Sequence, residues 1–257
     1  MQIEKRIIFE GKSKTIFEGP EPDTLIVNFR DDVDSSFYSK KHSIIPNKGI
    51  INNLISEYIM ERLTEISIPN HFIRRLNMRE QQVHEAEAIP IELILYNYAS
   101  GYLSKNLGIP EGTQLPRSII EYRYKDSANN DPVVSEEHIT AFGWADADDL
   151  DEMVKIALRV NDFLSGLFQG VGIKLIDFTL EFGKISDKDE NTHIAIIDEI
   201  TPDNCRLWDL KTQKRLDKDR FRKNLKNPEE AYLEIANRFH LLPKNLLKTI
   251  DNTKTGE

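Results

Sequence analysis

The spacing of apolar residues along the chain predicts an α+β protein with two lobes. Three observations carry that prediction. β-Prone runs crowd the amino-terminal end; helical stripes and strands mix beyond it; and one long run, Leu175 to Gly183, puts Ile176, Phe178, Leu180 and Phe182 on one face and Asp177, Thr179 and Glu181 on the other. The lobes divide after residue 88, into 1–88 and 89–257.

Arg6-Ile7-Ile8-Phe9 and Thr15-Ile16-Phe17 read as short strands around the turn Glu10-Gly11-Lys12-Ser13-Lys14. Gly11 permits close backbone approach to a ligand, and Lys12 and Lys14 alternate onto one side of an extended chain. The segment lacks the G-x-x-x-x-G-K-[ST] pattern of a P-loop, so these lysines would act as point charges over nucleotide phosphates. Taken alone, a Gly-Lys turn on a surface hairpin is usually only a solvated turn.

A third strand is predicted over Thr24 to Phe29, after the turn Gly19-Pro20-Glu21-Pro22-Asp23. A polar loop from Asp31 to Lys48 follows and carries Lys40, Lys41 and His42. Ile50, Ile51, Leu54, Ile55, Tyr58, Ile59 and Leu63 recur at helical spacing, predicting an amphipathic helix that ends before Pro69; its stripe reads as core, not as a binding motif. His71, beside Phe72 and Ile73, reads as a packed core or boundary residue.

Ile89 to Tyr98 reads as a largely buried strand, with Pro90 suited to a sheet edge or an interdomain crossing. It leads into the small residues Ala99-Ser100-Gly101, which allow tight approach, and then into a turn region, Leu107 to Gly112. A second long helix is predicted from Leu150 to Phe168, closed by Gly170 and Gly172. The acidic strand follows directly. The polar stretch Lys184 to His193 reads as a hairpin connection to Ile194-Ala195-Ile196-Ile197-Asp198-Glu199. Asn227-Pro228-Glu229-Glu230 has the pattern of a helix start, with Asn as cap, Pro at the first position and acids in the first turn.

Antiparallel pairing across the acidic hairpin would bring Asp177 or Glu181 near Asp198 or Glu199. Hard oxygen ligands gathered this way suit Mg²⁺, which takes one or two protein carboxylates and completes its octahedron with water and nucleotide phosphates. That points to an ATP-using enzyme. Acids on an exposed strand face are common, but here Thr201 to Asp209 follows, with Arg206 and further polar groups in a turn-rich loop. Cations beside a metal site suit anionic substrates.

Composition narrows the classes. At 257 residues and 29.7 kDa the chain can bury a substantial core, and the net charge of -9 argues against general nucleic-acid binding, whose affinity comes from neutralised phosphates. No stretch reaches the ~18 consecutive apolar residues of a membrane span, and no secretion signal is visible, so a cytoplasmic protein is expected. The single Cys205 rules out an internal disulfide and a cysteine zinc cage, and no motif supports thiol catalysis.

The residues met so far, in order, resemble the SAICAR synthetase family (phosphoribosylaminoimidazole-succinocarboxamide synthases). The matching pieces include Glu10-Gly11-Lys12-Ser13-Lys14, Lys48-Gly49 with Asn52-Asn53, Pro90-Ile91-Glu92, Leu107-Gly108-Ile109, Phe142-Gly143-Trp144, Asp177 to Gly183, Asp198-Glu199, Pro202-Asp203, Arg206 to Asp209 and Asp217 to Arg222. They run in family order over nearly the whole chain.

The resemblance implies a two-lobed fold related to ATP-grasp enzymes and protein kinases, with ATP held between a strand-rich nucleotide-covering lobe and a lobe carrying metal and substrate residues. The implied reaction joins carboxyaminoimidazole ribonucleotide to L-aspartate as ATP is cleaved to ADP and phosphate, through an acyl phosphate that the aspartate amine attacks. Carried over by position, Gly11, Lys12, Lys14 and Glu92 would serve the nucleotide; Glu181 and Asp198 would hold Mg²⁺, with Glu199 and Asp177 as weaker metal candidates. Ser100, Arg206, Asp219 and Arg220 would bind substrate, with Arg222 beside them, a capped, salt-bridged loop being the equal alternative for Asp219, Arg220 and Arg222; Lys12, Lys14, Arg206 and Asp177 would be catalytic. The family also implies a homo-oligomer, a dimer, with no nucleic-acid or membrane partner.

Two departures stand out. Where the family usually carries Arg-Asn-x-Ala-Ala-Gly-Ser, this chain has Tyr96-Asn97-Tyr98-Ala99-Ser100-Gly101-Tyr102, and it has Thr179 where lysine is usual. A phenol is a poorer partner for a phosphate dianion than a guanidinium. Lys40, Lys41, His42 or Arg206 would then supply the compensating positive charge. An alternative reading is a divergent relative that binds MgATP but uses another carboxylate acceptor, or does no turnover at all.

Overall fold

The structure is a computed structural model and describes residues 6–34, 42–186 and 191–242. The first three runs are strands as anticipated: β1 (Ile7–Glu10), β2 (Lys14–Glu18) and β3 (Thr24–Phe29), joined antiparallel. The expected polar loop differs: it contains β4 (Asp32–Asp34) and β5 (His42–Ile44), paired with each other. Lys40 and Lys41 lie outside the described residues, and His42 stands exposed, its ring nitrogen 2.9 Å from Asp32.

Helix α1 (Lys48–Glu65) starts against the end of β3. A Cβ on Gly49 would lie 2.3 Å from the Phe29 carbonyl oxygen, so only glycine permits this approach. The helix start is capped from outside: Asp31 accepts the N–H groups of Gly49 at 2.9 Å and Asn47 at 3.2 Å, while Arg79 grips both its oxygens at 2.8 and 2.9 Å. β6 (Phe72–Arg75) and β7 (Glu80–His84) complete a five-stranded sheet of order β1-β2-β3-β7-β6.

The second sheet is built from β8 (Glu87–Tyr98), β9 (Gln114–Tyr124), β10 (Val133–Val134), β11 (Ile173–Ser186), β12 (Thr192–Ile196) and β13 (Cys205–Asp209). Its order is β10-β9-β8-β11-β12, with β13 also paired to β11. β11 pairs with β8, with β13 over Ile173–Phe178 and with β12 over Phe182–Ser186. Between β12 and β13, residues 197–204 are not part of a strand. Pro90 therefore lies on an interior strand and not at an edge, at an irregularity where the register slips between Glu181 and Gly183.

The helices are α2 (Gly101–Leu107), α3 (Glu136–Ala141), α4 (Ala147–Gly170), α5 (Asp219–Arg222) and α6 (Pro228–Arg238). α4 begins earlier than its apolar stripe does, because Asp146 accepts the Asp149 N–H at 2.8 Å in a reciprocal capping box. Asn227 occupies the α6 cap position in a left-handed conformation, but its side chain donates to Glu230 at 2.7 Å and does not cap the backbone. α2 was not anticipated; its residues lack an apolar stripe, only Leu103 being buried.

One core joins Ile55, Ile59 and Leu63 of α1, Ile156, Val160 and Leu164 of α4, Phe178, Leu180 and Phe182 of β11, and Tyr232 and Ile235 of α6. The face predicted for β11 holds from Phe178 onward. Between Leu175 and Asp177 the register with β13 slips, so Leu175 joins this core while Ile176, though fully buried, does not. No described helix is long and apolar enough to cross a membrane.

Candidate active site: two cavities on either side of Glu181

The first cavity, about 180 Å³, is an apolar slot on the five-stranded sheet, walled by Ile16, Leu25, Val27, Phe29 and Val83, with Ile197 also lining it. Lys14, His71, Asp198 and Glu199 supply much of its polar lining. The Lys14 ammonium pairs with Asp198 and stands 3.4 Å from Glu199. Burial alone would pull its pKa down, but these two carboxylates outweigh that and hold it above the usual lysine range. Asp198 is held low: burial opposes its charge and Lys14 overcomes the penalty. Glu199 is pushed up to about 7 by burial despite Lys14, and its Oε2 is buried with no hydrogen-bond partner. His71, packed as its sequence context suggested, is pushed down to about 4 by burial and is neutral in the physiological range.

Lys12 does not share a strand face with Lys14. It lies exposed in the bend between β1 and β2, which is closed by the Gly11 N–H donating to the Lys14 carbonyl at 2.9 Å. Arg30 ties the bend down by donating to the carbonyls of Gly11 at 2.6 Å and Lys12 at 3.2 Å. A Cβ on Gly11 would meet the Phe9 ring at 3.2 Å.

Glu181 stands between the cavities. Its carbonyl accepts the Ile197 N–H at 3.0 Å, drawing the segment after β12 alongside β11, and its carboxylate is pushed up by burial and by Asp198 while pairing with Lys125. Of the four pairings open from the sequence, the structure brings Glu181 near Asp198, whose charge acts on it. Asp177 does not join them: Arg206 Nη1 donates to both its oxygens, at 3.0 and 2.8 Å, and Ser100 Oγ donates to it too. Among the described residues no three metal-ligating side chains already surround one point; lysines neutralise the carboxylates instead. The oxygen-rich donor set of Glu181, Asp198 and Glu199, with its orphaned Glu199 oxygen, nevertheless fits a hard cation.

The second cavity, about 350 Å³, is lined by Glu92, Tyr96, Tyr102, Arg123, Asp177, Thr179, Arg206, Lys218 and Arg222, among others. Glu92, expected beside the nucleotide, lies here, opposite Glu181 on β11 and Arg123 on β9. Burial and the Glu181 charge push it up to about 7. Arg206 is fixed from two sides, by Asp177 and by Asp219, which accepts from its Nε at 3.0 Å. Asp219 also accepts from Arg222 at 3.1 Å, so it orients guanidinium groups and does not itself line the cavity. Ser100 likewise sits fully buried behind the wall. Gly101, at φ +50, leaves room for Arg206: a Cβ there would come within 2.9–3.1 Å of the guanidinium.

Arg220 points elsewhere; its guanidinium donates to the Lys226 carbonyl and lines neither cavity. Tyr96 and Tyr102 face the cavity, and Tyr98 does not. Cys205 is buried in the wall, where burial pushes its thiol up, the reverse of nucleophile activation.

The sequence reading missed a buried polar knot. Asp203 accepts from Lys48 at 2.7 Å, Asn52 at 3.0 Å and Tyr232 at 2.6 Å; burial would push it up, but the Lys48 and Lys218 charges and the Tyr232 hydroxyl hold it below the usual carboxylate range. Lys48 and Asn52 are four apart on α1, so that helix carries a buried polar stripe beside its core stripe. Lys218, pushed down to about 8 by burial, and Lys125 were also missed. No sequence spacing links Lys125 to Glu181; only the sheet register does.

A mixed α/β chain with an apolar slot ending in lysine and carboxylates, beside a cavity rich in arginine, is built as an enzyme for phosphorylated small molecules. The family model described as SAICAR synthetase matches residues 7–239, and the chain belongs to that family. It is 58% identical over 240 residues to the phosphoribosylaminoimidazole-succinocarboxamide synthase of Acidiphilium cryptum, covering 93% of this chain and 94% of that protein. The crystal structure of the synthase from Ehrlichia chaffeensis superposes with a TM-score of 0.89 at 46% identity, covering 93% of this chain and all of that one. A SAICAR synthetase solved in complex with ADP superposes at 0.84 with 36% identity, covering 91% and 97% of the two chains.

Proposed function

We propose that this protein is the ATP-dependent ligase that condenses carboxyaminoimidazole ribonucleotide with L-aspartate, giving the succinocarboxamide ribonucleotide, ADP and phosphate in purine biosynthesis. The observation that carries this reading is the pair of cavities flanking Glu181, one an apolar slot with Lys14 and Asp198, the other lined by arginines and lysines. The relatives' shared name and the ADP held by one solved neighbour support it.

In this reading the purine of ATP occupies the apolar slot and Lys14 turns from Asp198 toward the phosphates. Glu181 and Asp198, with Glu199 beside them, would hold Mg²⁺, which when bound neutralises phosphate charge as phosphoryl transfer proceeds. The substrate carboxylate oxygen attacks the terminal phosphorus and ADP departs; the aspartate nitrogen then forms the amide bond, phosphate leaves and the amine loses a proton. Glu92, poised near neutral pH on the substrate side, is placed to take that proton. Arg206, held rigid by two carboxylates, orients the ribonucleotide, and Ser100 and Asp219 act through it. Lys12, exposed in the bend between β1 and β2, would add a point charge toward the phosphates.

The reading also carries the two-lobed division after residue 88, the kinship with ATP-grasp enzymes and kinases, a cytoplasmic location and a dimer. The test is ADP release by the purified protein with MgATP, omitting ribonucleotide and aspartate in turn. Release that requires both is the expected result; release indifferent to either would sink the assignment.

A further inference from the structure

We propose that Arg123 binds an oxyanion of the ribonucleotide in the larger cavity, oriented for it by Glu121 and by the Tyr102 ring; this rests on the ligase reading above. The register pairs Glu92 with Arg123, Ile94 with Glu121 and Tyr96 with Ile119, so these residues of β8 and β9 share one sheet face. Arg123 is 7% exposed and lines the cavity. Its Nε and Nη2 donate to a single oxygen of Glu121, at 3.1 and 2.9 Å, and its guanidinium carbon stands 4.8 Å from the Tyr102 ring centre.

The same Glu121 oxygen accepts the Tyr96 hydroxyl at 3.1 Å. A phenol on β8 and a guanidinium on β9 thus converge on one carboxylate, and the positive charge that residue 96 does not carry is delivered from the neighbouring strand. The other arginines nearby have different commitments. Arg206 spans both oxygens of Asp177 and reaches Asp219, and Arg222 pairs with Asp219, so these two are tied to β11 and α5, while Arg123 lines the cavity from β9. A phosphate dianion is the most highly charged group the cavity would receive, and a planar fork stacked on an aromatic ring is suited to it.

The test is steady-state kinetics on Arg123→Gln, Arg123→Lys and the double variant Tyr96→Arg/Arg123→Gln, each checked for cooperative thermal unfolding. Arg123→Gln should raise the ribonucleotide KM by about 10- to 100-fold, as expected for a lost charged hydrogen bond, and leave the KM for ATP and aspartate within about twofold. Arg123→Lys should fall between, and the double variant should recover about tenfold of the loss. An unchanged ribonucleotide KM in a folded variant, or a rise confined to aspartate or shared by all three substrates, overturns the proposal. If Arg123→Gln does not fold, Arg123→Lys and the double variant decide by the same KM comparison. Wild-type ADP release that ignores the ribonucleotide overturns the ligase reading and this inference with it, whereas ribonucleotide-dependent turnover with an indifferent Arg123 overturns this inference alone.

Discussion

Glu92 is a carboxylic acid held near neutrality by its surroundings, and that has a measurable signature. Its folded pKa, about 7, lies above its ordinary value of 4.5, so the native protein binds the proton more tightly than the unfolded chain. Its favourable contribution is complete below pH 4.5 and is lost as pH rises through 7. Glu92→Gln keeps the neutral shape at every pH. In unliganded protein it should therefore stabilise the fold at pH 8, by an amount of order 1 kcal/mol read as a higher Tm, and give no gain at pH 5. An equal gain at both pH values would count against the buried-acid account. Arg206 makes the opposite kind of case. Replacing it with lysine keeps the charge but loses the two-oxygen grip on Asp177, so Arg206→Lys should destabilise by roughly 1–3 kcal/mol and raise the ribonucleotide KM, readable by denaturant melts and kinetics.

Elements decide where those residues stand. The α4 capping box lies far from the proposed chemistry, so Asp146→Ala should cost about 1 kcal/mol of stability, a shift of roughly 2–4 °C in Tm, without changing kcat/KM. Gly101→Ala tests the opposite situation: a left-handed residue pressed against Arg206, whose substitution should impair ribonucleotide binding as well as folding. Strands with regular alternation or compact apolar runs were legible in the sequence: β3 has the bounds predicted for it, and β11 and β12 form the anticipated hairpin. β4 and β5 were not, being three residues each and polar, and α2 lacks a stripe. At the site, Lys14, Glu181, Asp198 and Arg206 could be named from local pattern, and the geometry groups them around the cavities. Glu92, expected beside the nucleotide, lines the larger cavity, and Asp177 was left open between partners, because a strand's period tells which face a side chain takes but not which neighbouring strand brings what to meet it. Arg123, Lys125 and Asp203 gain their meaning only from partners at least two residues to many tens away, across the sheet or on α1 and α6.

Over the whole molecule, an acidic exterior surrounds a locally cationic site. The chain carries a net charge of -9, yet the larger cavity is lined by Lys105, Arg123, Arg206, Lys218 and Arg222 as well as Asp177 and Asp203, while Glu92 and Asp217 are pushed up to about 7. Mass action gives a global test of the metal assignment. ATP with Mg²⁺ at a hundred times its Kd should add about 2.7 kcal/mol to stability, and chelating the metal with EDTA should remove most of the resulting Tm shift. An identical shift with and without EDTA would dismiss a metal role for Glu181 and Asp198. One further feature sets how such a ligand is admitted. The two main sheets are stitched by Pro69, Asn70 and His71 to Ile196: the His71 N–H donates to the Ile196 carbonyl at 2.9 Å, and the Ile196 N–H donates to the Pro69 carbonyl at 3.1 Å. This stitch lies beside β6, at one border of the five-stranded sheet, while β1 forms the other border. The slot is thus pinned at both ends, by a main-chain clasp at Ile196 and by the Lys14–Asp198 ion pair reaching in from β2, and of the two only the ion pair can part for an incoming phosphate without unpicking backbone hydrogen bonds.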